Sequence, residues 1–192
     1  MKILVACEYS GRVREAFRKR GHDAWSCDLL ESDDNSPYHI QGDVIPLLKE
    51  KWDMIIAHPP CTYLCNSGVR WLHEREGRWE LMREGAEFFK MFMDAAPCVA
   101  IENPVMHRYA LEIVGRKPDF TVQPWQFGDN FKKRTCFWTK GLPALKPTSD
   151  LDGSTAKAEV HLCPPGPERW KIRSRTYMGI AEAMAEQWGS SM

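Results

Sequence analysis

The residue types that could do chemistry in this chain stand directly after buried apolar runs. The run Met54–Ala57 leads through His58 and two prolines to Cys61, and the run Cys98–Ile101 leads to Glu102. Apolar runs of this length, bounded by proline or polar residues, are typical of buried strands. Cys61 would then stand at the carboxyl end of a strand, where open α/β sheets place their ligands. A thiol there can act as a nucleophile, although a lone cysteine beside prolines is more often a small buried hydrophobic residue.

Polar residues follow the other predicted strands in the same way. They are Ser10 with Gly11, Asp28, Asp43 and Asn103. The carboxyl ends of parallel strands meet at one edge of a sheet, so these positions together predict a site. Asp28 closes the second strand, where such folds place a carboxylate for ribose hydroxyls. A turn or helix-cap aspartate is the alternative for this residue.

The elements that must position these residues alternate along the chain. Strands are predicted at Lys2–Ala6, Ala24–Cys27, Met54–Ala57, Cys98–Ile101, Phe120–Gln123 and Thr135–Trp138. Helical spacing of apolar residues predicts helices around Val13–Phe17, Ile45–Lys49, Glu74–Ala95, Met106–Val114 and Tyr177–Trp188. This alternation indicates a doubly wound α/β sheet, and the Pro- and Gly-rich segment 143–169 is predicted to be a loop.

Bulk properties favour one ordinary globular domain. The chain has 192 residues, of which 43% are hydrophobic and 27% are charged. No apolar run approaches the roughly 20 residues that span a bilayer, and Glu8 interrupts the first run too early for a signal peptide. We therefore expect a cytoplasmic protein that does not contact a membrane.

The charge balance and the cysteines limit how the chain could bind nucleic acid or a metal ion. Lys+Arg and Asp+Glu balance at 26 each, so any nucleic-acid binding must use local basic patches such as 132–134 and 169–175. Seven cysteines are an odd number and are best interpreted as free thiols in a reducing compartment. His161 and Cys163 lack the paired spacing of zinc ligands, so no metal is expected.

At this point the order of motifs resembles that of the DNA cytosine-5 methyltransferases. Pro59-Pro60-Cys61 is similar to their Pro-Cys motif, and Ala100-Ile101-Glu102-Asn103-Pro104 is similar to their Glu-Asn-Val motif. The segment 127–137 resembles their Gln-x-Arg-x-Arg motif. There, Asn130 falls on the glutamine, Lys132 on the first arginine and Arg134 on the second.

The resemblance extends to cofactor motifs. Gly42-Asp43-Val44 resembles the acidic motif that holds the adenine amino group, and the final helix from Gly179 resembles the helix that closes over the cofactor. The first motif departs from the family, because Tyr9–Val13 keeps only one glycine of Phe-x-Gly-x-Gly-Gly. The resemblance implies cofactor contacts at Glu8, Tyr9, Ser10, Gly11, Asp28, Asp43 and Pro59.

What the resemblance implies is a Rossmann-like class I fold and an S-adenosylmethionine-dependent reaction on DNA. Cys61 would add as thiolate to C6 of cytosine, C5 would take the methyl group, and a base would then remove the C5 proton. Glu102 would hydrogen-bond N3 and the exocyclic amine, and Arg134 would hold O2. A target within a duplex would have to flip out of the helix. Further substrate contacts are expected at Pro60, Arg70, Asn103 and Lys132.

The domain prediction is a single methyltransferase domain over residues 1–192. A short insertion at about 141–175 stands where the family carries a target-recognition domain, and it is too small to be a separate domain. His161, Cys163 and Pro164-Pro165-Gly166 could form a compact DNA-contacting loop or a plain surface loop. Small forms of this kind resemble phage or prophage proteins. A monomer acting on duplex or single-stranded DNA is expected.

Two other functions stay open at the level of sequence. An amino-group methyltransferase, acting on N4 of cytosine or N6 of adenine, carries an Asp/Asn/Ser-Pro-Pro-aromatic motif. The segment 58–61 matches its prolines but lacks the flanking residues. A catalytically silent binder of DNA or nucleotide is the second alternative, and the joint presence of Cys61, Glu102 and Arg134 counts against it.

Overall fold

The computed structural model describes residues 1–158, 166 and 169–190 of the chain. Within these residues the strands are β1 Lys2–Ala6, β2 Asp23–Asp28, β3 His39–Gln41, β4 Met54–Ala57, β5 Cys98–Asn103, β6 Phe120–Val122 and β7 Thr135–Lys140. The α-helices are α1 Arg12–Arg18, α2 Trp71–Glu74, α3 Arg78–Met91, α4 Arg108–Val114, α5 Arg169–Ser174 and α6 Met178–Gly189. Short 3-10 helices lie at Ile45–Lys49, Asn66–Gly68 and Pro124–Phe127.

The seven described strands form one sheet in the order β3-β2-β1-β4-β5-β7-β6. Strands β1 to β5 pair in parallel, and β7 runs antiparallel between β5 and β6. This order is that of a doubly wound nucleotide-binding sheet with one reversed strand inserted near its edge. The direction of winding changes between β1 and β4. Such a switch point opens a crevice outside the carboxyl ends of the strands.

Both faces of the sheet are covered, which is why the central strands are apolar at nearly every position. In β1, Ile3 and Val5 pack on one side with α1 and α6, while Leu4 and Ala6 pack on the other side with α3 and α4. Successive side chains of a strand point to opposite faces, so a strand buried on both sides loses the alternating pattern. The six predicted strands are confirmed in position.

The long helix predicted over 74–95 is wrong in extent. The structure instead has the short helix α2 and the longer helix α3, separated by a turn. Arg75 is extended, and Gly77 immediately before α3 has φ 70°, a left-handed conformation that glycine adopts without steric cost. The apolar spacing continues across this break and therefore did not indicate it. Gly77 is the residue that could have indicated the turn.

The elements that were not predicted include β3, α5 and the 3-10 helices at Asn66–Gly68 and Pro124–Phe127. Strand β3 has only three residues, of which one is exposed and two are half-buried, and α5 was expected to be part of a basic loop. His161, Cys163, Pro164 and Pro165 lie outside the described residues, so the predictions made for them stay predictions. In the described part of the chain, no helix combines the length and the apolar composition that crossing a membrane requires.

Candidate functional site

The ends of β4 and β5 bring Cys61 and Glu102 to the same edge of the sheet. These strands pair in parallel, with Ala57 opposite Ile101, so the residues that follow them lie side by side. His58 Nδ1 lies 3.0 Å from Glu102 Oε2. The amide of Asn103 donates to the carbonyl of Pro59 at 3.0 Å. The proline turn that carries Cys61 is therefore tied to the end of β5 at two points.

Glu102 is a buried carboxylate with a histidine as its neighbour. Burial raises its pKa, but the hydrogen bond from His58 and the charge of Lys133 outweigh burial and leave the pKa below its usual value. An ionised Glu102 can only accept hydrogen bonds, so His58 Nδ1 is the donor in this pair. His58 Nε2 and Asn103 Oδ1 are buried and make no hydrogen bond to the described residues. Both atoms therefore have unused hydrogen-bonding capacity among the described residues.

Lys133 supplies positive charge beside this pair and lines the same cleft as Glu102. Its charge lowers the pKa of both Glu102 and Cys61, and its ammonium donates to the carbonyl of Arg175 at 3.4 Å. Arg134 is exposed and acts electrostatically on Cys136. Lys132 donates to the carbonyl of Ser154 at 3.3 Å. Neighbouring residues entering a strand point to opposite sides, so Lys133 faces the pair and its two neighbours do not.

The environment of Cys61 favours the thiol. A hydrogen bond to Cys65, burial, and the charges of Cys65 and Glu102 raise its pKa, against a smaller effect of Lys133. The pKa of Cys65 is shifted in the opposite direction. The hydrogen bond from Cys61, together with donors from Ser67 and from backbone N–H groups, lowers the pKa of Cys65 to about 5.

The predicted cofactor acids meet at the neighbouring strand ends. Asp28 and Asp43 both act electrostatically on Cys7, whose pKa is raised first by burial and then by these charges. Cys7 adopts φ 58°, a conformation that residues other than glycine rarely take and that is often found at functional sites. Burial raises the pKa of Asp28 against the opposing effects of backbone N–H groups, His39 and His58. Asp28 is half-buried and Asp43 is exposed. Two carboxylates at this crevice can accept hydrogen bonds from the hydroxyl and amino groups of a nucleoside.

The turn after β1 is held by hydrogen bonds to the Glu8 side chain and contains a single glycine. Glu8 is buried and accepts hydrogen bonds from the backbone N–H of Val13 at 2.7 Å and of Arg14 at 3.2 Å. Ser10 lies 3.4 Å from the same carboxylate. Gly11 has φ 69°, and a Cβ there would come within 2.2 Å of the Arg14 guanidinium. Glu8 therefore supports the turn, and only glycine fits at position 11.

A strap from the end of the chain crosses this turn. The hydroxyl of Tyr9 donates to the carbonyl of Lys171 at 3.0 Å, and Arg175 pairs with Asp33 at 2.6 Å. The cleft beside Glu102 has a volume of about 10 Å³, which is room for one water molecule. It is lined by Glu102, Lys133, Thr135, Thr176, Tyr177 and Ile180. A pyrimidine can enter only if the α5–α6 junction moves.

A wider groove of about 370 Å³ opens on the other side of the cysteine loop. Arg70, predicted as a substrate contact, lies on one wall, and Arg108 with Tyr109 lies on the other. His73 completes an aromatic cluster with Tyr109 and Trp79. Pro60, another predicted contact, is exposed at the adjacent turn. Cations and aromatic rings along one groove are the combination that holds nucleic-acid strands.

Sequence reasoning assigned no role to His58 and Cys65, and it gave Lys133 a role only as part of the basic patch 132–134. His58 lies between a buried strand and two prolines, a position from which its side chain reaches the next strand end. Cys65 is four residues beyond Cys61, a spacing that matters only if the loop makes a helical turn. In the part of the chain that the structure describes, no cluster of three or more metal-ligating side chains is present.

Comparisons with known proteins support the fold. No protein-family profile and no curated protein matches the sequence. Among solved structures, an E. coli prophage protein assigned as a DNA modification methyltransferase superposes with a TM-score of 0.51 at 16% identity, over 78% of this chain and 51% of that one. The Entamoeba histolytica methyltransferase EhMeth gives 0.47 at 13% identity, over 85% and 60%.

The chain has the Rossmann-like methyltransferase fold. The fold predicted from the sequence is therefore confirmed. The chain spans between half and about three-fifths of the lengths of these two solved structures. At these identities the likeness concerns the fold alone.

Proposed function

We propose that the protein transfers a methyl group from S-adenosylmethionine to C5 of cytosine in DNA, through a covalent bond between Cys61 and C6. The observation that carries this proposal is the hydrogen-bonded linkage of two adjacent strand ends. Cys61 follows β4, Glu102 is the next-to-last residue of β5, and the contacts His58–Glu102 and Asn103–Pro59 hold the two segments together. A nucleophile and a polar partner for the pyrimidine edge are thereby fixed relative to each other.

The residues at the other strand ends fit the cofactor. Asp28 would accept hydrogen bonds from the ribose hydroxyls, and Asp43 would accept from the adenine amino group. Tyr9 and the Gly11 turn would border the same crevice, with Pro59 on its β4 side. When bound there, S-adenosylmethionine supplies an electrophilic methyl group to the activated C5 atom.

The chain's own residues activate that carbon. The Cys61 sulfur forms a bond to C6, and the electron pair of the 5,6 double bond moves toward C5 and the ring. Glu102 accepts a hydrogen bond from the exocyclic amine, and His58 holds the Glu102 carboxylate in place through its Nδ1 hydrogen bond. Once C5 carries the methyl group, a base removes the C5 proton and Cys61 leaves C6 as thiolate, which restores the 5,6 double bond. Lys133 supplies the positive charge beside the ring. Arg134 was predicted to hold O2, and it would reach the ring only if the segment before β7 turned.

Transfer of labelled methyl from S-adenosylmethionine tests the proposal, with duplex DNA, single-stranded DNA and free dCMP as acceptors. Nucleoside analysis should find the label in 5-methylcytosine and should find none with Cys61→Ser. Cys98→Ser, at the opposite end of β5, is the matched control and should retain activity. Label in N4-methylcytosine or N6-methyladenine would identify an amino-group methyltransferase instead. Cofactor binding without label in any acceptor would contradict the proposal.

A further inference from the structure

A row of residues crosses four neighbouring strands at the carboxyl edge of the sheet. Strands β2, β1, β4 and β5 reach the same level at the register partners Cys27, Ala6, Ala57 and Ile101. The residues that follow these partners along the chain are, in the same order, Asp28, Cys7, His58 and Glu102. Adjacent strands lie about 4.8 Å apart, so His58 is one strand from Glu102 and two strands from Asp28. His58 therefore lies between the acid proposed for the cofactor and the carboxylate proposed for the pyrimidine.

The imidazole of His58 is fixed in this row through its backbone and its side chain. The backbone N–H donates to the carbonyl of Ala6 at 2.9 Å, which continues the pairing of β4 with β1. Nδ1 lies 3.0 Å from Glu102 Oε2, and the His58 side chain is only 9% exposed. Pro59 and Pro60 follow directly and restrict the backbone on the other side. These contacts hold the ring against Glu102.

The second ring nitrogen of His58 has no partner among the described residues. Nδ1 carries the ring proton, because the ionised Glu102 only accepts, so Nε2 of the neutral ring bears a lone pair. Nε2 is buried and makes no hydrogen bond within the part of the chain that the structure describes. Burial raises the pKa of Asp28, and the charge of His58 is one of the effects that oppose it, so the ring acts toward the cofactor side as well. Buried polar atoms are seldom left unpaired, and this nitrogen therefore indicates a group that arrives with a ligand.

Methylation at C5 requires a group of this kind. Once the methyl group is transferred, C5 holds both the methyl group and a proton, and the 5,6 double bond returns only when a base takes the proton. In the proposed complex Cys61 is bonded to C6, Glu102 accepts from the exocyclic amine, and Lys133 is an ammonium group without a lone pair. Among these site residues, His58 is the one with a lone pair left for C5. The ring edge meets Glu102 while C5 faces the methyl donor, and His58 lies between the two.

We infer that His58 is the general base that removes the C5 proton after methyl transfer. The inference rests on the proposed function, in which Cys61 is bonded to C6. The proton passes from C5 to His58 Nε2, the C5–H electron pair forms the 5,6 double bond, and the C6–S electron pair leaves with Cys61 as thiolate. The Glu102 carboxylate at Nδ1 stabilises the imidazolium that forms, as a buried carboxylate does for a catalytic histidine. The Nε2 proton passes to water after the product leaves, which restores the lone pair.

Release of tritium from C5 tests the inference. The substrate is single-stranded DNA with tritium at C5 of cytosine, and S-adenosylmethionine carries a carbon-14 methyl group. The native protein should release one tritium for each methyl group transferred. His58→Asn keeps an N–H donor for Glu102 but has no basic group, so methyl transfer should proceed while tritium release slows by at least about 100-fold. A covalent protein–DNA adduct that carries both labels should then accumulate on ordinary cytosine.

Two further variants complete this experiment. His58→Gln has a longer amide side chain that also cannot take the proton, so it should accumulate the same adduct. His22→Asn is the matched control, because His22 precedes β2 at the opposite edge of the sheet. It should release tritium in step with methyl transfer.

DNA containing 5-fluorocytosine separates the base step from the earlier steps. Fluorine at C5 cannot be removed as a proton, so trapping of Cys61 on this DNA needs no base, and both His58 variants should form the adduct as the native protein does. Tritium release in step with methyl transfer in either His58 variant would overturn the inference. Failure of both variants to form the fluorocytosine adduct would also overturn it, because His58 would then act before the base step. If the native protein forms no such adduct, the proposed function fails and the inference falls with it.

Discussion

At the scale of single residues, the site depends on a buried carboxylate that stays ionised. Glu102 is inside the protein, where burial alone would favour its neutral form. His58 and Lys133 reverse that preference, since one donates a hydrogen bond and the other supplies positive charge. A pyrimidine ring whose exocyclic amine donates a hydrogen bond would meet an acceptor already in its charged state.

The effect of replacing His58 on the free energy of unfolding tests this balance. The depressed pKa of Glu102 contributes stability at pH values above its unfolded pKa, and this contribution is lost as the pH falls through the folded pKa. His58→Phe removes the donor and leaves burial opposed mainly by Lys133. We expect the variant to lose about 1–3 kcal/mol of unfolding free energy near pH 7, and the deficit should shrink toward about pH 4 as the carboxyl protonates.

Urea unfolding at several pH values measures this deficit. The exposed His73, replaced by Phe, is the control and should show a small change that does not depend on pH. A deficit in His58→Phe of equal size at all pH values would indicate lost packing rather than a lost partner for Glu102.

At the scale of elements, helix α1 carries a charge into the core. Arg14 is fully buried, and it pairs with Asp34 from the loop after β2. Its guanidinium also donates to Ser26 at 2.7 Å and to Glu15 at 2.9 Å. The same guanidinium lies where a side chain at position 11 would be, so this network also fixes the turn after β1.

Asp34→Ala should therefore destabilise the whole fold. A fully buried pair broken on one side typically costs 3–5 kcal/mol, and we expect about 2 kcal/mol here because Asp34 is partly exposed and Arg14 keeps two other partners. Asp94→Ala removes a carboxylate that is 90% exposed beside Lys140 and should cost roughly 0–1 kcal/mol. Equal losses in the two variants, measured by denaturant unfolding, would contradict a structural role for the Arg14 network.

Prediction from sequence succeeded where an element is buried on both faces. Strands such as β1 and β4 can be recognised in the sequence as apolar runs. The topology of the sheet then places the residues that follow them, including Cys61, at its carboxyl edge. Glu102 lies at the carboxyl end of β5, one residue before the last, and its position was predicted in the same way. The sequence could not show whether Lys133 or Arg134 faces Glu102, because a shift of one residue at the start of a strand exchanges the two faces of that strand. The Cys61–Cys65 contact depends on a loop turn that no periodicity reveals.

At the scale of the whole molecule, three cations of a chain with no net charge border the candidate site. Arg70 and Arg108 flank the groove beside the cysteine loop, and Lys133 lies at the Glu102 cleft. Net charge is zero, so binding to a phosphate backbone would depend on these local groups. Arg175 is already paired with Asp33, which removes it from the basic patch predicted at 169–175.

The salt dependence of DNA binding should report this arrangement. If both groove arginines contact phosphates, Arg70→Gln with Arg108→Gln should reduce the slope of log K against log salt by roughly 2. Lys49→Gln with Lys51→Gln changes the charge equally at exposed positions away from the groove and should leave the slope unchanged. Identical slopes for the two double variants would show that the groove does not hold the strand.

The covalent adduct with DNA containing 5-fluorocytosine tests the central claim most directly. The protein is incubated with this DNA and S-adenosylmethionine, digested with trypsin, and analysed by tandem mass spectrometry of peptide 52–70, which holds both Cys61 and Cys65. The account predicts an adduct on Cys61 that is absent in Cys61→Ser and retained in Cys65→Ser. An adduct on Cys65, or none despite measured binding of DNA and cofactor, would contradict it.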